Sequence, residues 1–413
     1  MIARRALVAL PVRSEKSITM ASVPPVEAAR SALNPQPGGK RDVLLCVFLR
    51  GGADGLHMLI PHSDDDYHRA RPRIGMQSGG QSGVLDLDGY WGLHPKLAFF
   101  KEFWDAQQLA IINACGATVS NHSHFSAMDS VERAAPQNIS DASGWLGRHL
   151  ALTQESQDSP LRAIGFGALL QASLRGGNAT AMTNLNSFRL QLQKLDLPKI
   201  RAAHGEIYRA AGTLAAPAQQ TLSAVDLLER LNAKRYKPSD GAQYPDSGYG
   251  RRLKETAQLI KADVGLEVVC IDLGDWDTHV TQGAAEGEMA GNLSELAAGL
   301  YALYTDLSAH LDRVTIVTMS EFGRRVAENG GGGTDHGAGN LMFVLGGNIN
   351  GGKIYGEWPG LHPDQLTGPG DLPVTTDYRT VLAELVAKRL QNPQLDKVFP
   401  GFAPPKWLGI AKG

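Results

Sequence analysis

The sequence has few cysteines and no excess of either charge. Three cysteines in 413 residues are too few and too widely spaced for a disulfide framework. Cys46, Cys115 and Cys270 each lie in or beside an apolar run, so we expect small buried side chains rather than ligands or nucleophiles. Lysine and arginine number 40 and aspartate and glutamate 42, which leaves a formal net charge of -2. Because no basic field covers the molecule, we expect no nucleic-acid partner.

Long hydrophobic runs are also missing. No apolar run reaches the roughly 18 residues needed to span a bilayer, so we predict no integral membrane segment. The N-terminal stretch MIARRALVALPVR combines a twin arginine with an apolar segment of about seven residues, the lower limit for an export signal. We therefore predict a tail or an export signal at residues 1–40. A periplasmic or exported location and a cytoplasmic one both stay open.

Five apolar runs of strand length alternate with helical patterns from residue 42 onwards. Continuous apolar runs are typical of strands buried on both faces, so the pattern predicts an α/β fold with a mainly parallel central sheet flanked by helices. We expect one domain at residues 41–413, with the charged helical patterns of residues 185–262 as a helical insertion or cap. The five runs are DVLLCVFLR (42–50), LAIINACG (109–116), LEVVCIDLG (266–274), VTIVTMS (314–320) and LMFVLGG (341–347).

Acids and histidines lie at the ends of these runs. In an open parallel sheet the carboxyl ends of the strands line the ligand crevice, and a loop entering the fifth strand can join them. Uncompensated buried charges cost several kcal/mol each, so a divalent metal ion is the expected organiser of such a group. The residues concerned follow the first four runs or precede the fifth: Asp54; His122, Ser123 and His124; Asp275, Asp277 and His279; Glu321; Asp335 and His336.

Single residues of this set also have purely structural interpretations. Asp54 in GGADG can close a tight turn by bonding its own backbone, and Glu321 can simply pair with Arg324 or Arg325. Arg50 and Arg324 can clamp an anionic ester, but surface pairing is the expected role of both. The joint pattern, rather than any one residue, therefore predicts the metal site.

Five motifs carry a resemblance to a known family. In chain order they are LRGGADGLHMLIP, NHSHFSAMDS, LGDWDTHVTQG, MSEFGRRVAENGGGGTDHGAGN and DLPVTTDYRTVLAELV. Together they resemble the signature segments of the domain-of-unknown-function 1501 family, often exported bacterial proteins. That family is similar to a distant branch of the alkaline phosphatase and sulfatase superfamily. The resemblance implies an alkaline phosphatase-like three-layer sandwich that binds a divalent metal.

The resemblance also implies metal ligands. Asp54 would bind or bridge a metal as the acid after the first strand. Asp277 and His279 match the Asp-Thr-His of the family. Asp275 stays the second choice for the aspartate, because Asp275 and His279 reproduce an Asp-x-x-x-His spacing of the superfamily. His336 resembles the late metal histidine of the superfamily.

Three further assignments complete the implied metal centre. Asp335 would be a ligand or would orient His336. The glycines around this pair are interpreted as allowing the backbone to approach a metal or an oxyanion. Glu321 stands where superfamily members generally have Asp-His, and Phe322 in the second position cannot ligate. One of two metal sites is therefore expected to be depleted.

A serine at a helix start completes the implied chemistry. Ser123 is the predicted nucleophile, with Ser120 as the alternative, because a helix N-terminus and a metal both stabilise an alkoxide. An interpretation of Ser123 as a helix N-cap alone stays open. His122 or His124 would protonate the leaving group or contact a bound oxyanion.

Two functions are compatible with these residues. The first is a metal-dependent hydrolase of phosphate or sulfate esters that acts on a small anionic ester, with zinc, manganese or another transition metal. The second is a metal-containing binding protein of the cell envelope that has the same fold and no turnover. Neither the substrate nor the oligomeric state is predicted.

Overall fold

In the computed structural model, the described residues form a nine-stranded mixed sheet. Strands β2 (Leu59–Ile60), β3 (Leu85–Asp86) and β4 (Gly92–Leu93) form a separate small sheet in the order β2-β4-β3. In chain order, the strands are β1 (Val43–Leu49), β2 (Leu59–Ile60), β3 (Leu85–Asp86), β4 (Gly92–Leu93), β5 (Leu109–Gly116), β6 (Ala163–Phe166), β7 (Thr180–Met182), β8 (Val268–Leu273), β9 (Val314–Met319), β10 (Asn340–Gly346), β11 (Lys353–Tyr355) and β12 (Thr376–Asp377).

The strand order of the large sheet is β11-β5-β10-β9-β1-β8-β6-β7, and β12 pairs with β5. Within the described part of the chain, its strands pair in parallel except for β10, which is antiparallel to both β5 and β9. The prediction of a mainly parallel sheet is therefore confirmed. The reversal of β10 places its first residue at the edge of the sheet where β1, β8 and β9 end.

Helices cover both faces of this sheet. In chain order, the α-helices are α1 (Gly55–Met58), α2 (Asp65–Ala70), α3 (Ala98–Asp105), α4 (His124–Arg133), α5 (Trp145–Leu152), α6 (Ala215–Asn232), α7 (Gly248–Lys261), α8 (Glu288–Asp306), α9 (Tyr378–Lys388) and α10 (Leu395–Val398). Short 3₁₀ helices occupy Pro95–Leu97, Ala172–Leu174, Ser308–Arg313 and Pro363–Gln365.

Strand β1 shows why the sheet is covered on both sides. Alternate side chains of a strand point to opposite faces. Leu45 belongs to the same buried cluster as Leu253 of α7 and Leu300 of α8. Its neighbour Leu44 belongs to the cluster that contains Val381 of α9. The three-layer arrangement follows from a strand that is apolar at every position.

The structure describes residues 41–79, 83–118, 122–135, 142–156, 158–188, 215–232, 236–404 and 406–412. The predicted tail or export signal at residues 1–40 lies outside them, as does Ser120. None of the described helices combines the length and the apolar character that crossing a membrane requires.

The predicted insertion at residues 185–262 is described only in part. Helix α7, near its end, packs Leu253, Ala257 and Ile260 into the main core. This helix is therefore part of the layer that covers the sheet. Residues 189–214 and 233–235 lie outside the described residues, so a cap formed by them stays a prediction.

A buried ion-pair network lies around Glu267, directly before β8. The carboxylate of Glu267 accepts hydrogen bonds from Arg162 Nε at 2.5 Å, Arg41 Nη1 at 2.8 Å and His149 Nε2 at 2.9 Å. Burial by itself raises the pKa of Glu267, but the hydrogen bonds from His149 and Arg162 outweigh it and lower the pKa to about 2. The ionised carboxylate therefore stabilises the start of a central strand.

We expect Glu267→Gln to lower the free energy of unfolding at pH 7 by on the order of 3 kcal/mol. Because the folded pKa is depressed, this stabilisation is fully present above the unfolded pKa and is lost as the pH falls from about 5 towards 2. Urea unfolding at pH 7 and pH 3 measures both effects, and the difference between wild type and variant should shrink at pH 3. The control Glu155→Gln removes an exposed partner of Arg41 and should change stability little. An equal effect of both substitutions would contradict this assignment.

Candidate metal centre

Four chain segments meet at one edge of the central sheet. The loops after β1, β8 and β9 leave this edge, and the loop before the reversed strand β10 returns to it. Helix α4 begins there at His124, with Ser123 in extended conformation as its N-cap residue. The loops that were expected to converge therefore do meet, because β1, β8 and β9 end at the edge where β10 begins.

A group of side chains that could hold a metal ion lies between these segments. The ligand atoms offered by His124, Asp277 and His336 all lie within 4.8 Å of one another. His279 adjoins this group, because its Nε2 lies 2.9 Å from Nε2 of His336 and 3.1 Å from Oδ1 of Asp277. His124 Nε2 lies 3.4 Å from the other oxygen, Oδ2, of Asp277. We call these four residues the His-Asp cluster.

Two cluster histidines form hydrogen bonds through Nδ1, the ring nitrogen that points away from the cluster. His124 Nδ1 lies 2.7 Å from Oε1 of Glu321, whose side chain is buried. His336 Nδ1 lies 2.9 Å from the backbone carbonyl oxygen of His122. A carbonyl oxygen can only accept, and Glu321 Oε1 also accepts from the backbone N of Gly51, so both Nδ1 atoms are assigned as the donors. The two Nε2 atoms therefore face the cluster.

The third histidine has a weaker contact of the same kind. His279 Nδ1 lies 3.3 Å from Oδ1 of Asp335, an oxygen that also accepts a hydrogen bond from Asn329 Nδ2 at 3.0 Å. The bond from Asn329 lowers the pKa of Asp335, and the carboxylate therefore stays ionised. Asp335 orients His279 rather than the neighbouring His336.

The cluster brings electron-pair donors together. In neutral imidazoles protonated at Nδ1, the Nε2 atoms of His279 and His336 both present lone pairs at a separation of 2.9 Å. Asp277 Oδ1 adds a third acceptor 3.1 to 3.2 Å from them. The Nε2 atom of His124 is buried and has no hydrogen-bond partner among the residues that the structure describes. Burial also lowers the pKa of His336, which favours its neutral form. A cation among these atoms relieves their mutual repulsion.

Arg324 fixes the aspartate of the cluster. Its guanidinium is buried and donates from Nη2 to Oδ1 of Asp277 at 2.6 Å. Partial burial raises the pKa of Asp277, but the hydrogen bond and charge of Arg324 outweigh burial. The pKa is therefore below its usual value, and the carboxylate is ionised. The guanidinium also donates to backbone oxygens of Gly51, Gly52, Trp276 and Thr334. Its donors are engaged inside the protein, in contrast to the expected surface pairing.

Asp54 lies in a different environment from the cluster residues. Its buried carboxylate accepts two hydrogen bonds from Arg71, at 2.7 and 3.0 Å, and one from Gln282 Nε2 at 2.7 Å. Burial raises the pKa of Asp54, but the charge and hydrogen bonds of Arg71 lower it below its usual value. The contacts of both oxygens are thus with protein donors.

Glu321 and Asp275 also differ from the ligand role expected for them. Glu321 Oε1 lies 2.7 Å from His124 Nδ1 and also accepts from the backbone N of Gly51 at 2.9 Å, so this carboxylate holds the imidazole of His124 in place. Asp275 is exposed, has a left-handed backbone with φ of 69°, and is not part of the cluster. Between the two aspartates weighed from the sequence, Asp277 is the one in the cluster.

The two remaining predicted residues, Ser123 and His122, flank the cluster. Ser123 is exposed and makes no side-chain capping hydrogen bond to α4. His122 turns its Nε2 towards Oδ2 of Asp371 at 3.4 Å, while its carbonyl oxygen holds His336. Both residues therefore lie next to members of the His-Asp cluster: Ser123 directly precedes His124, and His122 contacts His336.

The glycines around Asp335 and His336 have a packing role. A Cβ atom added at Gly333 would lie 2.3 Å from the carbonyl oxygen of Thr278, and one at Gly337 would lie 2.5 Å from the carbonyl carbon of Arg324. Both positions therefore allow the loop before β10 to pack against neighbouring backbone. The approach to a metal or oxyanion that the sequence suggested is not needed to explain them.

Sequence reasoning did not find Arg71 and Gln282, and it assigned a surface role to Arg324. Arg71 lies 17 residues after its partner Asp54, and Gln282 lies 228 residues after it. No short motif joins these positions. Arg324 lies within the motif SEFGR, but nothing in the motif reveals that its side chain is buried.

Comparison with solved structures gives weak similarity over most of the chain. Ps i-CgsB in complex with k-i-k-neocarrahexaose has a TM-score of 0.37 and 10% identity, over 89% of this chain and 76% of its own. The PsFucS1 sulfatase from Pseudoalteromonas sp. has a TM-score of 0.33 and 12% identity, over 80% and 68%. The phosphonate monoester hydrolase SpPMH from Silicibacter pomeroyi has a TM-score of 0.33 and 10% identity, over 89% and 78%.

Comparison with curated proteins finds no match to this sequence. The match to a family model is extensive, because it covers residues 41–391 and so includes the central strands and the His-Asp cluster. The chain belongs to the family described as protein of unknown function DUF1501.

Proposed function

We propose that the protein is a metal-dependent hydrolase of phosphate or sulfate esters, with the divalent metal held by the His-Asp cluster. One observation carries this proposal. Each cluster histidine has its Nδ1 next to an acceptor, and its Nε2 faces the same carboxylate. Histidine ligands in metal sites characteristically donate their second nitrogen to a carboxylate or a carbonyl in this way.

The donor set is suited to a borderline cation. Three imidazole nitrogens and one carboxylate match the preferences of zinc and of several other transition metals. The side chains of Asp277 and His279 are 46% and 40% exposed, so an ester can reach the cluster from solvent. A bound divalent metal would polarise the ester oxygen and neutralise charge that develops during hydrolysis.

Ser123 is the proposed nucleophile, as its sequence position suggested. The serine is exposed, directly precedes the ligand His124, and lies at the N-terminus of the ten-residue helix α4. The positive end of the helix dipole favours the alkoxide at this place. Attack of Ser123 Oγ on the phosphorus or sulfur breaks the bond to the leaving oxygen. His122 accepts the hydroxyl proton of Ser123 and gives it to that leaving oxygen. Water then hydrolyses the serine ester: one water proton restores the Ser123 hydroxyl, and the remaining OH leaves with the phosphate or sulfate.

A metal-containing binding protein without turnover is the second candidate. The observation that favours it is Phe322, whose buried ring lies 4.9 Å from the ring of His124 and 4.7 Å from that of His336. An apolar wall on this side offers no further ligand and no donor for a developing oxyanion. Activity measurements on metal-replete protein separate the two candidates.

We expect the purified protein to bind about one divalent ion per chain, and chelation to lower its melting temperature reversibly. A ligand at about 100 times its Kd stabilises the folded state by roughly 3 kcal/mol. His336→Ala and Asp277→Asn should lose the ion and most of the response to chelator, because each removes a cluster donor. Metal analysis and thermal unfolding with and without chelator provide the two measurements.

His362→Ala serves as the control, since this histidine is exposed and is the N-cap residue of a separate 3₁₀ helix. It should keep the wild-type metal content. If chelation shifts wild type and His336→Ala equally, the metal is bound elsewhere. If wild type holds no metal and its stability depends on pH alone, protons rather than a metal relieve the repulsion in the cluster.

We expect Ser123→Ala to abolish hydrolysis of aryl phosphate and aryl sulfate esters while the metal content stays unchanged. The substitution removes the attacking oxygen and leaves all four cluster residues in place. Ser126→Ala is the matched control, because Ser126 is an exposed serine in the first turn of the same helix. Full activity of Ser123→Ala would assign the attack to water. Inactive, metal-replete wild type would leave the binding protein as the better description.

A further inference from the structure

A buried amide joins the two loops that carry most of the His-Asp cluster. Gln282 is fully buried, and its Oε1 accepts hydrogen bonds from Thr278 Oγ1 at 3.0 Å and from Thr334 Oγ1 at 2.9 Å. Its Nε2 donates to Oδ2 of Asp54 at 2.7 Å. Because the carboxylate can only accept, Nε2 must face Asp54 and Oε1 must face the two hydroxyls. The orientation of the Gln282 side-chain amide and the donor in each of its three hydrogen bonds are therefore defined.

The two threonines lie directly beside the cluster residues in sequence. Thr278 separates Asp277 from His279, and Thr334 lies two residues before His336. The backbone N of Thr334 also donates to the carbonyl oxygen of Thr278 at 3.2 Å. A shift of either threonine would therefore change the separation of the cluster residues on the two loops.

An ion pair anchors the amide in turn. Asp54 is held by two hydrogen bonds from Arg71, whose Nε also donates to the carbonyl oxygen of Val326 at 2.8 Å. Asp54 and Arg71 are each 1% exposed, as is Thr278, while Gln282 and Thr334 are 0% exposed. A buried network whose members are all paired constrains geometry more than it adds stability. We call these five residues the Gln282 network.

We infer that Gln282 is a positioning residue for the metal site, acting through Thr278 and Thr334 to hold Asp277, His279 and His336 at binding distance. The inference rests on the proposed function, since it concerns the affinity of the same cluster for its metal. Gln282 itself is not a member of the cluster. Its effect is on where the ligand loops lie relative to each other.

Thr278→Val and Thr334→Val test this role with the smallest change in shape. Each removes one hydroxyl donor to Gln282 Oε1 and leaves every cluster side chain unchanged. Loss of a contact that supports metal ligands typically weakens metal binding by roughly 10-fold to 100-fold. We expect a loss of zinc affinity in this range for each variant and a larger one for the double variant.

Zinc titration of the metal-free full-length protein by calorimetry measures this affinity, and thermal unfolding of the same metal-free samples measures stability. Thr256→Val is the matched control, since Thr256 is also fully buried and its hydroxyl bonds a backbone carbonyl within helix α7. This control should bind zinc like wild type at a similar melting temperature. Thr334→Ser keeps the hydroxyl and should restore the affinity that Thr334→Val loses.

Three outcomes would contradict the inference. They differ in whether they also reject the proposed metal site. Wild-type zinc affinity in both Thr278→Val and Thr334→Val would reject the positioning role and leave the metal site intact. An equal loss in Thr256→Val would show that general destabilisation, rather than the Gln282 network, weakens binding. Wild type that binds no zinc would reject the zinc site and the positioning role together.

Discussion

The buried guanidinium of Arg324 is the contact on which the candidate metal centre depends. It donates to backbone oxygens in the loops after β1 and β8 and before β10, and to the carboxylate of Asp277. A buried cation that loses its partners costs several kcal/mol, so these loops cannot separate without a large penalty. The same bonds fix Oδ1 of Asp277, which the Nε2 atoms of His279 and His336 approach. The centre is therefore pre-organised by the fold.

Contacts behind the cluster decide which atoms face it. Glu321 and Asp335 carry the charge expected of metal ligands, but each contacts the Nδ1 atom of a histidine. His124, expected from sequence to act on the leaving group or a bound oxyanion, instead turns a buried Nε2 towards Asp277, and this atom has no hydrogen-bond partner in the described part of the chain. In the same way, the carboxylate of Asp54 accepts hydrogen bonds from Arg71 and Gln282 and does not lie in the cluster. The arrangement separates residues that present lone pairs to the centre from residues that hold them.

Much of the fold could be predicted because its signals are local. The apolar runs at residues 42–50, 109–116, 266–274 and 314–320 contain β1, β5, β8 and β9 with ends shifted by at most two residues. A strand buried on both faces has to be apolar throughout, and few other elements share that pattern. The direction of β10 had no such signal, since an apolar run reads the same for parallel and antiparallel pairing. That direction brings His336 to the shared edge.

The amino-acid sequence by itself determined the fold class and the set of acids and histidines placed at strand ends, because both follow from residue type and spacing along the chain. Only the tertiary structure decided which of them face one another. That choice depends on Arg71, Gln282 and Arg324, each of which has a partner at least 17 residues away, at separations of up to 273 residues. These distant contacts determine where the side chains of the acids and histidines point. The spacing of residues along the chain does not predict such contacts.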